Sequence, residues 1–178
     1  MIPKIYKDLN SWRDPKHLKI AFQYYGLKEI PGPAHNKTIL QMAKFLGKKA
    51  GINVQDDETP WCGTFAGYCL LKAGWPIPNI AVRAKSFLNF GMEAPVPMRG
   101  DVMVFDRDGG GHVTFYVSED EHTYHCIGGN QSNEVNIRAF AKNRLLGARR
   151  PKWKLLQPLG VHKVIIQNGK VINSITEA

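Results

Sequence analysis

The sequence has few cysteines and no long apolar run, and each shortage excludes a class of protein. Three cysteines, Cys62, Cys69 and Cys126, are an odd number, so a complete disulfide framework is not expected. No run approaches the roughly 18 consecutive apolar residues of a membrane-spanning helix. The first residues, MIPKIYKDLNSWRD, lack the apolar stretch and cleavage site of a secretory signal. We therefore expect synthesis in the cytoplasm without a signal peptide and no transmembrane segment.

Acidic residues are also scarce relative to basic ones. The 178 residues include 24 Lys and Arg against 15 Asp and Glu, a net charge of +9 with neutral histidines. Such a charge favours anionic partners, among them nucleic acid, an acidic bacterial envelope and acidic lipid, without choosing between them. The length and the hydrophobic content of 43% fit one compact domain.

Motifs for common cofactors are missing from the sequence. There is no Walker loop, and the glycine-rich segments do not lie between a strand and a helix as in dinucleotide-binding folds. The segment DRDGGG, with Asp106 and Asp108, has no glutamate at the twelfth position of a calcium loop, so we interpret it as a turn. No cofactor is expected.

Helical periodicity covers the first half of the chain, residues 14–91. Capping residues, prolines at helix starts and terminal glycines bound four predicted helices. They extend from Asp14-Pro15 to Gly26, from Asn36 to Ala50, from Thr59-Pro60 to Gly74, and from Ala81 to Phe90 before Gly91.

Alternating polarity covers residues 100–151 and predicts an antiparallel meander. The predicted strands are 102–105, 112–118, 123–127, 134–140 and 144–150. Helices followed by strands predict an α+β fold in one domain, residues 1–151, with the helices on one face of the sheet. Residues 152–178 form an extension whose segments 161–166 and 170–175 flank Asn168-Gly169, a dipeptide typical of a two-residue hairpin. This hairpin either extends the sheet or is a small appendage.

Cys62 is the strongest candidate for chemistry. With Thr59 as the N-cap and Pro60 as the first helical residue, Cys62 falls in the first turn, where free backbone N–H groups and the helix dipole lower the pKa of a thiol. The same amides can stabilise an oxyanion. Burial as a small apolar residue is the alternative, and it is the expectation for Cys69 and Cys126.

His112 is the best candidate for the base that a thiol nucleophile needs, because it opens a strand directly after three glycines. Alternation places His112, Thr114 and Tyr116 on the face opposite to Val113, Phe115 and Val117.

A third group can fix the tautomer of this imidazole, and an amide oxygen suffices. The hairpin that follows His112 returns the segment GGNQS to the start of the strand, so Asn130 is the expected orienting residue. His125 is the alternative, although its parity places it on the other face. A metal site at His122, His125 and Cys126 is also conceivable, but the spacing does not match a usual zinc site.

The strings ETPWCGTFAGYCLLKAG, RGDVMVFDR, GGHVTFYV, GGNQSNEVNI and RLLGARRP, after LKEIPGPAHN, resemble the papain-like peptidoglycan hydrolases of the CHAP/NlpC group, especially single-domain phage and prophage endolysins. The resemblance extends from about residue 17 to residue 151. It implies a papain-like fold with Cys62 as nucleophile, His112 as general base and then acid, and Asn130 as the residue that orients His112. Trp61, Gly63 and Gln131 adjoin this set and are candidates for substrate binding or for the oxyanion site.

The implied activity is hydrolysis of an amide in the peptidoglycan stem, as endopeptidase or N-acetylmuramoyl-L-alanine amidase, without metal. The partners would be bacterial peptidoglycan and the anionic cell envelope, with no nucleic acid, and the protein would be a monomer that reaches the wall after release at lysis or by phage delivery. Two other classes stay open, namely a non-catalytic module that binds cell wall or nucleic acid, and a Cys-dependent acyltransferase.

Overall fold

The structure is a computed structural model that describes residues 1–9 and 13–173. Most of its helices precede its strands, which confirms the predicted α+β class. The α-helices are α1 (Lys4–Lys7), α2 (Lys16–Gln23), α3 (Lys37–Leu46) and α4 (Cys62–Lys72), and 3₁₀ helices cover Gly47–Ala50, Ala84–Asn89 and Lys142–Arg144. The strands are β1 (Met92–Glu93), β2 (Val102–Arg107), β3 (Gly110–Glu119), β4 (Thr123–Gly128), β5 (Asn136–Ala141), β6 (Leu145–Arg150), β7 (Val164–Gln167) and β8 (Lys170–Asn173).

The predicted N-cap is correct for α3 and wrong for α2. Asn36 caps α3 as expected, since its side chain accepts a hydrogen bond from the Thr38 amide at 2.9 Å. Asp14 does not cap α2, which begins at Lys16. Its carboxylate instead accepts two bonds from the Arg99 guanidinium, at 2.8 and 2.7 Å, and both side chains are buried. A buried carboxylate needs such a charged partner more than a helix end needs a cap.

The predicted fourth helix, 81–90, is shorter than expected and is a 3₁₀ helix over Ala84–Asn89. Gly91 follows it with a φ of +53°, a left-handed conformation that favours glycine over residues with a Cβ. A Cβ on Gly91 would also overlap the carbonyl oxygen of Arg150, so this turn packs directly against β6. Helix α1, at the other end of the chain, was not predicted.

The sheet is a meander only in part. Strands β2 to β5 pair in sequence order as predicted, but β6 pairs with the free side of β2 instead of β5. The strand order is therefore β1-β6-β2-β3-β4-β5, and the prediction that 144–150 continues the meander is wrong. Alternating polarity identifies a strand and its buried face, but it carries no information about which neighbour the strand pairs with.

The two faces of the sheet pack against different layers. Val113, Phe115 and Val117 pack with the helices, and we call this the helical face. Tyr116 packs with Met103, Phe105, Cys126 and Ala148 in a smaller cluster on the other side, the outer face. His112 shares the parity of Tyr116 and stacks on Phe140 of the outer face, which confirms the predicted alternation along β3.

The C-terminal hairpin extends the sheet. Asn168 and Gly169 both have positive φ, +50° and +70°, as the predicted two-residue turn requires. Strand β7 lies parallel to β3 at Glu119, and the Tyr116 hydroxyl donates to the Val164 carbonyl at 3.1 Å. Positions 174 and 175 of the predicted second strand lie outside the described residues.

Candidate active site

Cys62 is the first residue of α4, and Trp61 occupies the cap position. The prediction that Thr59 caps this helix and Pro60 opens it is therefore wrong. The Thr59 hydroxyl donates to the carboxylate of Asp56 at 2.9 Å, which makes this segment a turn before the helix. Cys62 nevertheless lies in the first turn, where the backbone amides have no partner within the helix.

The Cys62 thiol lies beside the residue that follows His112. Burial raises the pKa of the Cys62 thiol, while hydrogen bonds from the Val113, Gly63 and Cys62 amides and the charge of Arg107 act in the opposite direction without outweighing burial. The expected lowering of this pKa by the helix N-terminus is therefore wrong for the free protein, in which Cys62 is a neutral thiol.

Gly63 allows the chain to pack closely over the start of α4. A Cβ at this position would overlap the carbonyl oxygen of Ala81 and would lie 2.6 Å from that of Val82. The residue is therefore needed for packing, while its amide faces the Cys62 thiol. Two amides, those of Cys62 and Gly63, thus converge where a thiol-bound oxyanion would form.

His112 is buried on the outer face, 5% exposed, at the start of β3. Its ring stacks on Phe140 with a centroid distance of 5.4 Å. Its Nε2 lies 3.1 Å from Oε1 of Gln131, while its Nδ1 is buried and has no hydrogen-bond partner among the residues that the structure describes.

The bonding of Gln131 fixes the tautomer of His112. The Gln131 Nε2 donates to the backbone carbonyl of Asn136 at 2.6 Å and to its side-chain oxygen at 2.9 Å, which assigns the two ends of the Gln131 amide. Its Oε1 can only accept, so His112 Nε2 carries the proton. Nδ1 is consequently the unprotonated, basic nitrogen. A buried acceptor without a partner is costly, which is a reason to look for a functional role.

His112 is neutral in the folded protein. Burial lowers the pKa of His112 to about 4, the hydrogen bond to Gln131 raises it in part, and the charges of Arg107 and Arg144 lower it further. Thus the Cys62 thiol and the His112 imidazole are both uncharged near neutral pH.

The orienting contact comes from Gln131 and not from Asn130, the residue expected in that position. Asn130 lies directly before it, half-buried, with a left-handed φ of +57°. Ser132 and Asn133 also have positive φ, so this loop does not continue the alternation of β4. The prediction identified the loop that contacts His112, but the left-handed backbone at Asn130, Ser132 and Asn133 turns Gln131 instead of Asn130 toward the imidazole.

Gly128 and Gly129 make room for this arrangement. A Cβ on Gly128 would lie 2.9 Å from Gln131 Oε1, and one on Gly129 would lie 2.6 Å from the Trp61 ring. Trp61 itself is 1% exposed, and its indole N–H donates to Glu29 at 3.0 Å. Its side chain is therefore a packing residue and not part of a substrate surface, contrary to the expectation. Gln131, another of the three candidates for substrate binding or the oxyanion site, is buried against His112.

His125 belongs to a separate group on the helical face. Its Nε2 lies 3.0 Å from Asp120, and its Nδ1 lies 3.1 Å from the Tyr6 hydroxyl of α1. Cys126 points to the outer face and the side chain of His122 is 82% exposed, so the metal ligands considered above do not converge. Among the described residues no cluster of three or more His, Cys, Asp or Glu side chains could hold a metal ion.

A polar cavity of about 290 Å³ adjoins His112. It opens beside the ring on the outer face, and its polar walls come from the loop after β4 and from three arginines. The lining residues are Arg107, His112, Asn130, Gln131, Ser132, Asn133, Arg138, Phe140 and Arg144. The arginines, on two strands and a 3₁₀ turn, could not be brought together by sequence spacing alone.

Comparisons with known proteins give no family for this chain. No protein-family model matches the sequence, and no curated protein matches it. None of the helices in the described part of the chain is long and apolar enough to cross a membrane.

Proposed function

We propose that this protein is a cysteine-dependent hydrolase of amide bonds in the peptidoglycan stem, of the papain-like CHAP/NlpC kind. The observation that carries the proposal is the state of His112: its Nε2–H is fixed by Gln131, and its basic Nδ1 is bare. Nδ1 is the ring nitrogen nearer the backbone, and the next residue along that backbone donates its N–H to the Cys62 thiol.

The proposed reaction begins from the neutral pair. Nδ1 of His112 takes the thiol proton while the Cys62 sulfur attacks the amide carbon. The tetrahedral intermediate collapses when the imidazolium returns this proton to the leaving amine, which yields an acyl-thioester on Cys62. Water then attacks the thioester, with His112 accepting a water proton and giving it to the departing sulfur. The products are an amine and a carboxylic acid.

The amides of Cys62 and Gly63 supply the electrostatic stabilisation of this path. They already converge on the thiol, so they can donate to an oxygen that becomes negative next to it. Arg107 adds a positive charge that favours a developing thiolate and disfavours a protonated His112 before attack. These groups therefore stabilise the buried negative charge that develops once the thiol proton has moved to His112.

The choice of peptidoglycan is supported by the motif resemblance over residues 17–151 and by the net charge of +9, which suits an anionic envelope. Under this proposal the protein acts on the wall after release from the cytoplasm or delivery by a phage particle, and it needs neither metal nor cofactor.

Digestion of purified peptidoglycan, followed by mass spectrometry of the new termini, tests the proposal. We expect new amine and carboxyl termini with the unaltered protein and none with Cys62→Ala, because the variant has no nucleophile. Cys69→Ala is the matched control: this thiol is fully buried in the same helix, so its loss should lower stability and leave hydrolysis intact.

Three outcomes would contradict the proposal. Full hydrolysis by Cys62→Ala would remove the assigned nucleophile, and the absence of any new terminus would favour a binding module. Product that forms only when an amine acceptor is added would indicate an acyltransferase.

A further inference from the structure

Three arginines beside His112 form no direct ion pair with a carboxylate in the described part of the chain, and Arg138 acts on Glu134 only through its charge at longer range. Arg107 ends β2, Arg138 lies in β5 and Arg144 lies in the 3₁₀ turn after β5, and all three are exposed. In the described residues no acidic side chain lies within ion-pair distance of any of them. Arg144 donates to a backbone carbonyl, that of Asp106, at 2.7 Å, which orients its guanidinium and leaves its charge uncompensated.

The other arginines with defined ion pairs show the opposite pattern. Arg99 is paired with Asp14, Arg150 with Asp101 and Arg149 with Glu93. Those pairs hold elements of the fold together, whereas the three arginines of the cavity face a polar depression at the candidate base. An unpaired guanidinium cluster around a cavity is suited to an anion, since the planar fork of arginine can donate two bonds to one carboxylate.

We propose that the cavity is a carboxylate-binding subsite, in which Arg107, Arg138 and Arg144 hold an acidic group of the peptide next to the scissile amide. This subsite rests on the proposed function, because it takes its substrate to be an acyl peptide. The cavity adjoins the His112 ring, so a carboxylate bound there places its own peptide within reach of the base. The subsite therefore selects peptides with a free carboxylate near the cleaved bond.

The surroundings favour a carboxylate over a polyphosphate. The volume of about 290 Å³ suits one small acidic group and not an extended nucleic-acid backbone. The uncharged part of the wall includes Ser132, whose hydroxyl can donate to the second oxygen of a bound carboxylate.

Binding to Cys62→Ala protein tests the subsite without any turnover. The probes are two acetylated peptide amides, acetyl-Ala-Glu-Ala-amide and acetyl-Ala-Gln-Ala-amide, which differ only in carboxylate against carboxamide. Titration followed by NMR of the His112 ring gives both dissociation constants. We expect the carboxylate peptide to bind about 5- to 20-fold more tightly at low salt, with the preference falling as salt is raised.

Charge variants assign that preference to the cavity. Arg138→Gln with Arg144→Gln should reduce it to less than about twofold, and Arg107→Gln alone should reduce it in part. All three positions are exposed, so these variants should fold, which a thermal melt checks. Lys44→Gln is the matched control: it removes one positive charge from α3, lining a different depression, and should keep the full preference.

Equal binding of the two peptides would overturn the subsite, and so would a preference that survives the double arginine substitution. Inorganic phosphate and an eight-residue oligothymidylate serve as competitors, and tighter arginine-dependent binding of either would identify a phosphate site instead. The subsite and the proposed function can fail separately. If wild-type protein does not cleave peptidoglycan but Cys62→Ala still shows the arginine-dependent preference, the hydrolase proposal is wrong and the subsite proposal stands.

Discussion

His112 in β3 and His125 in β4 are both buried, on opposite faces of the sheet, and they differ in how many ring nitrogens are hydrogen-bonded. His112 is bonded through Nε2 to a neutral amide and leaves Nδ1 bare, whereas His125 is bonded at both nitrogens, to Asp120 and to Tyr6. A histidine with both nitrogens occupied joins parts of the fold, here α1 and the sheet. His17 also has one nitrogen bonded and a buried Nδ1 without a partner, but His112 differs from it in adjoining an open cavity, so its free nitrogen is the one available to take a proton from a thiol that attacks a bound substrate.

The largest expected effect is the difference in turnover between the alanine variants of these two histidines. His112→Ala should lower peptidoglycan turnover by roughly 10²- to 10⁴-fold, the usual contribution of positioned proton transfer. His125→Ala should keep turnover within about a few-fold and lower the melting temperature, because it unties Tyr6 and Asp120. Turnover and thermal melts of both purified variants check this, and the reverse pattern would exchange the two roles.

A smaller effect is expected from the residue that orients His112. Gln131→Leu should lower turnover by about 10- to 100-fold, part of the factor that positioned proton transfer supplies, because the ring loses the acceptor that fixes its tautomer. Asn130→Gly is the matched control, since glycine accepts the left-handed backbone at that position.

Asn130→Gly should stay close to normal turnover in the same assay. If it is inactive and still folded while Gln131→Leu is active, the original assignment of Asn130 from the sequence is the correct one.

Some features of the candidate site could be predicted from the sequence and others could not. The hairpin return placed the GGNQS loop beside His112, because that juxtaposition depends on local geometry, whereas Cys62 was joined to His112 by the chemical need for a base and by the motif resemblance. The choice of Gln131 over Asn130 depends on left-handed residues in the loop, and the pairing of β6 with β2 depends on tertiary packing. The raised pKa of Cys62 depends on burial, which the chain around it creates.

The pH dependence of activity should show the smallest change. Only neutral His112 can accept the thiol proton, and its pKa is lowered to about 4, so activity should fall as the pH is reduced through about 4 instead of through 6.5. Gln131→Glu puts a carboxylate against Nε2, stabilises the imidazolium and should move this limb upward by about one to three pH units. Profiles of kcat/KM for both proteins measure the shift, and an unmoved limb would mean that another group titrates.

The tautomer of His112 tests its role as the base most directly, because that role depends on a bare Nδ1. Long-range ¹H–¹⁵N NMR of histidine-labelled protein distinguishes the two neutral forms and follows each ring with pH. We expect His112 to be the Nε2–H tautomer at pH 7 and to become protonated only near pH 4. A His112 that carries its proton on Nδ1, or that is already charged at pH 7, would contradict this role.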